Sequence, residues 1–325
     1  MIRFGILGTA GIAQRFLVAE PTGARITAVA SRNRNRAESF SRKYGIPRFF
    51  DSYDALLDDP AIDAVYIPLP QHLHARYVIR SAQAGKHILV EKPAALTVDE
   101  ATSMKKACAD NGVLCMEAFM YRFKSLHRRI REIVRGGEIG VIRYINFNWC
   151  FNIHELDRSP FRLKKELGGG ALYDLGIYGI DFLRFLTGLE PVVHAAFLRR
   201  EHHDGVDMFV HAALTVGDIF ATVTAGFDND ANAYTISGER GSVHVPGSLS
   251  GRAVENTLQA HFLGGDRRSE ETFPPENPYI AELGYFAECI QQHRQPEADL
   301  NNSISNLRVV EKIFAVARPI TKPLS

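Results

Sequence analysis

The chain has 325 residues, 46% hydrophobic and 23% charged, with a formal net charge of +1. That is an ordinary composition for a water-soluble globular protein of about two domains, and its charge balance gives no field that draws it to nucleic acid or an anionic membrane. Four cysteines in a chain this long do not make a disulfide scaffold, and Cys108, Cys115, Cys150 and Cys289 show no C-x-x-C spacing, which argues against a thiolate zinc knuckle and a thioredoxin-like redox pair.

Met1-Ile2-Arg3 runs directly into Phe4-Gly5-Ile6-Leu7, without the successive regions of a signal peptide. No apolar stretch approaches the roughly 18 residues of a membrane span. The expectation is a cytoplasmic chain with no membrane segment. Arg3–Leu7 reads as a strand, followed by a glycine turn and a helix from about Ile12. Ile26–Ala30 reads as a strand and Arg36–Tyr44 as a charged helix stopped at Gly45-Ile46-Pro47. Ala64–Ile67 is a third strand, His74–Ala84 a helix, His87–Val90 a strand, Val98–Ala109 a helix and Val113–Met116 a strand. Short apolar strands alternating with amphipathic helices predict βαβ units and a doubly wound parallel sheet, an α/β Rossmann domain.

The pattern changes after residue 122. His127–Arg135 is a basic helix in which Arg128, Arg129, Arg131 and Arg135 read as a solvated face rather than a nucleic-acid surface. Leu172–Leu186 has helical spacing. From about 192 to 273 the chain is β-rich, with strands at Val206–Val216, Phe220–Phe227, Ala233–Ser237 and Ser242–Val245, and short turns between them favour an open, mainly antiparallel sheet. Tyr279–His293 and Ser303–Val316 close the chain as helices, the second with Asn301-Asn302-Ser303 as its cap. This predicts a dinucleotide-binding domain over 1–121 and an α+β substrate and oligomerisation domain over 122–325. The last helix, about 303–317, returns to the first domain.

Gly8-Thr9-Ala10-Gly11-Ile12-Ala13 lies between the first strand and the first helix, where free N–H groups receive a pyrophosphate. Against the G-x-G-x-x-G pattern, Ala10 and Ala13 replace the second and third glycines. A reader of the ribose 2′-hydroxyl wants a carboxylate about 20 residues further on. Ala30-Ser31-Arg32-Asn33-Arg34 stands there instead, with Arg36 nearby. Ser31, Arg32 and Arg36 suit a 2′-phosphate, so NADP is favoured and NAD is the alternative. Glu91-Lys92-Pro93 ends a buried strand at the edge where such sheets bind ligands. Asp174 and Tyr178 are four residues apart on one helix face. Hydride transfer from an alcohol needs a group to take the hydroxyl proton and cations to polarise the oxygen. Tyrosine titrates near 10, and a lysine ammonium beside it favours the phenolate. Lys92, Asp174 and Tyr178 are therefore the catalytic candidates. His72 and His74, two residues apart, read as a cofactor-side loop rather than a metal pair, so no metal site is expected. His202-His203-Asp204-Gly205 reads as a hairpin turn.

These motifs resemble the Gfo/Idh/MocA (glucose–fructose oxidoreductase) family of nicotinamide-dependent dehydrogenases. The similarity extends over essentially the whole chain: the glycine turn, Ile67–His74, Glu91-Lys92-Pro93, Met116–Phe123 and the Gly168–Tyr178 segment. The resemblance implies that Leu69, His72 and Glu91 line the cofactor, Lys92 is the central catalytic residue, Asp174 binds substrate hydroxyls and residue 178 is the acid/base. It implies a cis Lys92–Pro93 bond, a homodimer or homotetramer through the C-terminal sheet, and Phe119, Arg162 and Tyr279 as pocket residues. Much of the family has His where this chain has Tyr178. A tyrosine there is similar to the dimeric dihydrodiol dehydrogenases and NADP-dependent D-xylose dehydrogenases, and points to a sugar or cyclic diol substrate. Two rival readings are a nicotinamide-dependent glycosidase on the same scaffold and a non-catalytic NADP sensor.

Overall fold

The computed structural model describes residues 1–153, 160–200, 205–247, 256–262 and 267–320. The chain forms two compact units, Met1–Met120 with Asn277–Ile304, and Tyr121–Glu276 with Ser305–Ser325.

In the first unit the elements are β1 (Ile2–Leu7), β2 (Ala24–Ala30), α1 (Arg34–Tyr44), β3 (Arg48–Phe50), α2 (Tyr53–Leu57), β4 (Ala64–Ile67), α3 (His74–Gln83), β5 (His87–Glu91), α4 (Val98–Asp110) and β6 (Cys115–Ala118). The six strands lie in the order β3-β2-β1-β4-β5-β6 and pair in parallel throughout. This is the doubly wound order, whose switch point lies between β1 and β4. Phe4, Ile6 and Leu7 of β1 and every residue of β4 are buried, as strands covered on both faces must be. Side-chain caps start α1 and α4. Asn33 accepts from the Arg36 N–H and Thr97 from the Glu100 N–H, meeting donors that the first turn leaves unsatisfied.

Three local expectations are corrected. The helix expected from Ile12 is a 3₁₀ helix of six residues, Gly11–Phe16. Phe16 is anchored between the rings of Tyr66 and Tyr279, at 4.5 and 5.3 Å, and Pro21 follows before β2, so little chain is left to propagate it. β6 begins at Cys115 rather than Val113, because the Val113 N–H closes the end of α4 on the Cys108 carbonyl at 3.1 Å. The last helix starts at Leu300, and its cap is Asp299, whose Oδ1 accepts from the N–H groups of Asn301 and Asn302 at 2.9 and 3.0 Å.

The second unit holds α5 (Ser125–Arg135), β7 (Ile142–Cys150), α6 (Ile177–Thr187), β8 (Pro191–Arg200), β9 (Asp207–Val216), β10 (Ile219–Gly226), β11 (Asn232–Gly238), β12 (Gly241–Pro246), β13 (Asn256–Phe262), β14 (Arg267–Phe273) and β15 (Ala317–Pro319). The remaining helices are α7 (Pro278–Gln291), in the first unit, and α8 (Leu300–Val316). Its nine-stranded sheet runs β14-β13-β12-β11-β7-β10-β9-β8-β15. Neighbours are antiparallel except β7 with β10 and β8 with β15, so the sheet is mixed but mainly antiparallel. α6 lies flush on it: a Cβ on Gly179 would come within 2.6 Å of Phe147 and 2.8 Å of Val223. The basic face of α5 is only partly solvated: Arg128 and Arg135 are exposed, Arg129 is half-buried and bonds to Glu138 and Glu271, and Arg131 lies over the Phe185 ring, 4.6 Å from its centroid. His202, His203 and Asp204 lie outside the described residues. Among the described residues no helix is long and apolar enough to cross a membrane.

Candidate functional site

At the end of β1 the chain turns through Gly8, whose φ of +115° favours glycine; a Cβ there would meet Leu69 Cδ2 at 3.0 Å. Its N–H bonds the Ala30 carbonyl at 2.8 Å, tying the turn to the end of β2. Thr9 and Ala10 follow, half-buried, and no side chain caps the helix that opens with Gly11 and Ile12. At the end of β2, Ser31 is buried and its Oγ accepts from the Asn33 N–H at 3.2 Å. Arg32 and Arg36 are exposed. The positive charge of Arg32 opposes the rise that burial causes in the Tyr53 phenol's pKa. The same hydroxyl lies 3.9 Å from the position of a Gly8 Cβ. A backbone turn without side-chain bulk, an uncapped helix start, and a serine and arginine in place of a carboxylate fit a 2′-phosphorylated dinucleotide.

Two buried side chains hold the segment around Lys92. The Lys92–Pro93 peptide is cis. His74, fully buried, sets Nδ1 2.8 Å from the Pro93 carbonyl and Nε2 2.7 Å from the Leu69 carbonyl. Burial lowers its pKa to about 4, and the neighbouring charges of His72 and Lys92 act in the same direction. Glu117 on β6 accepts the Ala94 N–H at 2.9 Å and the Ser303 hydroxyl at 2.6 Å. His72 and His74 thus separate: His74 is packed between the carbonyls of the Leu69 loop and the Lys92 turn, its one neutral N–H donating to one of them, while His72 is half-buried. Glu91 accepts from the Tyr66 hydroxyl at 2.6 Å. Tyr279, 6% exposed, has its phenol pushed up by burial and then by Glu91 and Glu282, and Phe119 is fully buried. Glu282 is also fully buried; burial, then the charge of Glu91, push its carboxyl well up.

In the second unit, Asp174 sits in a π-helical stretch, Leu172–Gly176, that runs into α6. Such stretches are rare in helices and frequent at functional sites. Asp174 is buried, and its Oδ2 accepts from Arg162 Nε at 2.6 Å. Tyr178 is 4% exposed, with its ring 4.6 Å from that of Trp149 and 6.0 Å from that of Tyr121. One helical turn on, Asp181 receives both arms of Arg122, at 2.6 and 2.9 Å, the Tyr121 hydroxyl at 2.6 Å and the Asn306 amide at 3.0 Å. This buried network fixes α6, and with it the register of Tyr178. Asp207 on β9 accepts the Leu172 N–H at 2.7 Å. Neither Asp181 nor Asp207 is singled out by sequence: an aspartate in a helix or at a strand start carries no motif. Among the described residues no group of three or more His, Cys, Asp or Glu is assembled for a metal.

Family models match both parts of the chain. Residues 2–119 match the oxidoreductase family with an NAD-binding Rossmann fold, and residues 127–244 the GFO/IDH/MocA C-terminal domain. The chain belongs to the Gfo/Idh/MocA oxidoreductase family. It is 33% identical over 321 residues to a D-xylose 1-dehydrogenase (NADP(+)) of Haloferax volcanii, covering 97% of each chain. It is 31% identical over 302 residues to the trans-1,2-dihydrobenzene-1,2-diol dehydrogenase of Mus musculus, covering 90% of this chain and 89% of that one. Among solved structures it is similar to a mutant of a 3-ketoreductase from Actinomadura kijaniata, in complex with TDP-benzene and NADP. That likeness has a TM-score of 0.89 at 28% identity and covers 99% of each chain. Like other members of the Gfo/Idh/MocA family, the protein is an oxidoreductase.

Proposed function

We propose that this protein catalyses reversible, NADP-linked oxidation of a C–OH group on a sugar or alicyclic diol, with pyranose C1 oxidation to a lactone as the leading reaction. The observation that carries the reading is Lys92, at the carboxyl end of β5 in a doubly wound sheet, on a segment held by His74 and Glu117. Relatives named for an NADP-linked xylose dehydrogenase and a dihydrodiol dehydrogenase support the substrate class.

When bound, NADP supplies the ring that accepts hydride from the substrate carbon. Gly8, Thr9, Ala10, Gly11 and Ile12 would hold the pyrophosphate, Ser31, Arg32 and Arg36 the 2′-phosphate, and Leu69, His72 and Glu91 the nicotinamide side. In this reading Tyr178 takes the hydroxyl proton, Lys92 holds the substrate oxygen, and Asp174, oriented by Arg162, binds a second hydroxyl. Phe119 and Tyr279 then support the pocket from within the first unit. The test is a panel of aldoses, inositols and dihydrodiols assayed with NADP and NAD in parallel, on wild type and on Lys92→Met and Tyr178→Phe. Both variants should lose turnover and keep NADPH binding. Substantial turnover by Lys92→Met removes Lys92 from the mechanism.

The assembly we propose is a homodimer or homotetramer formed through the second unit's sheet. Phe220, Val192, Phe197 and Tyr144 on its strands are exposed at 69, 55, 42 and 38%, an apolar set that suits a subunit contact. Light scattering on Phe220→Glu should show a smaller species. A cytoplasmic location is also our reading, supported by four free, buried cysteines, and fractionation of the source cells tests it.

A further inference from the structure

We propose that Asp207 is a positioning residue for the reaction, its carboxylate capping from β9 the helical segment that carries Asp174 and Tyr178. The assignment rests on the reading of Tyr178 as the acid/base.

The segment entering that helix is Gly168-Gly169-Gly170-Ala171. A helix start leaves backbone N–H groups without intrahelical acceptors, and a nearby Ser, Thr, Asp or Asn ordinarily supplies one. This run has no such side chain, and Ala171 provides no cap. The acceptor comes instead from 35 residues along the chain: Asp207 Oδ2 takes the Leu172 N–H at 2.7 Å. Asp207 is 3% exposed. Its neighbours Val206 and Met208 pack in one apolar cluster with Ala171 and Leu175, which fixes where the carboxylate stands.

Gly170 is the counterpart of this cap. Its φ is +122°, and a Cβ there would lie 2.2 Å from Asp207 Oδ1. The space that the glycine leaves is the space the carboxylate fills. From this point the geometry passes directly to the candidate side chains. The Asp174 N–H bonds the Gly170 carbonyl at 3.1 Å, and the Gly170 N–H bonds the Arg162 carbonyl at 3.0 Å, the residue whose guanidinium holds Asp174. Asp207, Gly170, Arg162 and Asp174 thus form one connected set, and Tyr178 follows four residues later. A negative group at a helix start is also favoured by the helix dipole. The carboxyl is pushed up to about 7 by burial, against the pull of the Leu172 and Ala171 N–H groups and of Arg200.

The test compares Asp207→Asn, Asp207→Ser, Asp207→Ala and Tyr178→Phe as full-length proteins. NADPH fluorescence titration counts native sites, and kcat is then expressed per NADPH-binding site. A cap that merely stabilises the fold would lower yield and melting temperature, and leave kcat per site unchanged. Misplacing a reacting group by about 1 Å costs on the order of 100-fold, so Asp207→Ala should lose roughly 30-fold in kcat per site with NADPH affinity unchanged. Asp207→Asn keeps an oxygen at the same reach for the Leu172 N–H and should stay within about threefold of wild type; Asp207→Ser, whose oxygen sits one bond nearer the backbone and reaches the N–H less well, should fall between Asn and Ala. Should the alanine variant fail to fold, the Asn-above-Ser order decides. Equal kcat per site in Asn and Ser, or wild-type kcat in Ala while Tyr178→Phe is inactive, overturns the assignment. Full turnover by Tyr178→Phe overturns the acid/base reading on which it rests.

Discussion

Arg162 donates from Nε to Asp174 Oδ2 at 2.6 Å, so the carboxylate read as a substrate ligand is itself oriented by a guanidinium. Arg162 is in turn stacked over the Phe161 ring, 5.0 Å from its centroid. A hydrogen bond to a charged group contributes about 1.5–3 kcal/mol, which corresponds to roughly 10- to 150-fold in affinity. Arg162→Ala should therefore raise KM for the sugar or diol by about 10-fold or more, with the KM for NADP unchanged. Arg162→Lys keeps the charge but not the planar fork and should recover only part of the loss. Steady-state kinetics in both substrates check this. A sugar KM unchanged in Arg162→Ala means Asp174 does not depend on its partner.

The end of β2 makes a separate prediction about the cofactor. Arg32 stands exposed beside Tyr53, near the Gly8 turn, and no carboxylate occupies the position that reads a ribose 2′-hydroxyl. Arg32→Ala should raise KM for NADP by about 10-fold, the scale of one charge-assisted hydrogen bond, and leave KM for NAD nearly unchanged. Parallel assays with the two cofactors give the ratio directly. A ratio that stays at its wild-type value would show that Arg32 is only an exposed helix entry.

Glu117 links the Lys92 turn to the body of the first unit, and its removal should be felt in both stability and turnover. It accepts the Ala94 N–H and the Ser303 hydroxyl from a buried position. Leaving a buried donor without its acceptor costs about 1–3 kcal/mol. Glu117→Ala should lower unfolding stability by about 2 kcal/mol or more and reduce kcat. Glu117→Gln keeps the oxygen that faces Ala94 and should be milder in both. Denaturant melts alongside kinetics check it; an alanine variant with the wild-type midpoint would relieve Glu117 of this role.

The parallel sheet is legible in sequence because its strands are apolar runs bounded by glycine and proline, as Ala64–Ile67 is by Pro68. The glycine turn and Lys92 are legible because their chemistry is local. β3 is three half-buried residues, Arg48-Phe49-Phe50, too short to show a period. β7 does carry a signal: Ile145, Phe147 and Trp149 alternate with Asn146 and Asn148, the period of two that marks a strand. The network at Asp181 and the cap by Asp207 are not legible at all. Each joins residues 35 or more positions apart, and only folding supplies the second partner. The same is true of Glu117, which stands in a recognisable motif whose physical reason appears only when Ala94 and Ser303 are seen against it.

His74 predicts how stability responds to acid. Its ring is fully buried between the carbonyls of Leu69 and Pro93, and burial lowers its pKa from 6.5 to about 4. Between those values the unfolded chain binds a proton that the folded chain refuses. The stability this group contributes is therefore complete above about pH 6.5 and is lost as pH falls toward 4, by up to about 1.4 kcal/mol per pH unit. His127, buried in the second unit and lowered to about 3, acts in the same direction. His74→Asn removes the titrating ring but keeps an amide donor for one carbonyl, and it leaves His127 in place. At pH 7 it should be less stable than wild type, and urea melts at pH 7, 6 and 5 should show that deficit shrinking, since only the wild type loses the His74 share. A deficit that is constant or grows toward pH 5 would mean that His74 is already protonated in the native state, donating from both nitrogens to the two carbonyls that bracket it.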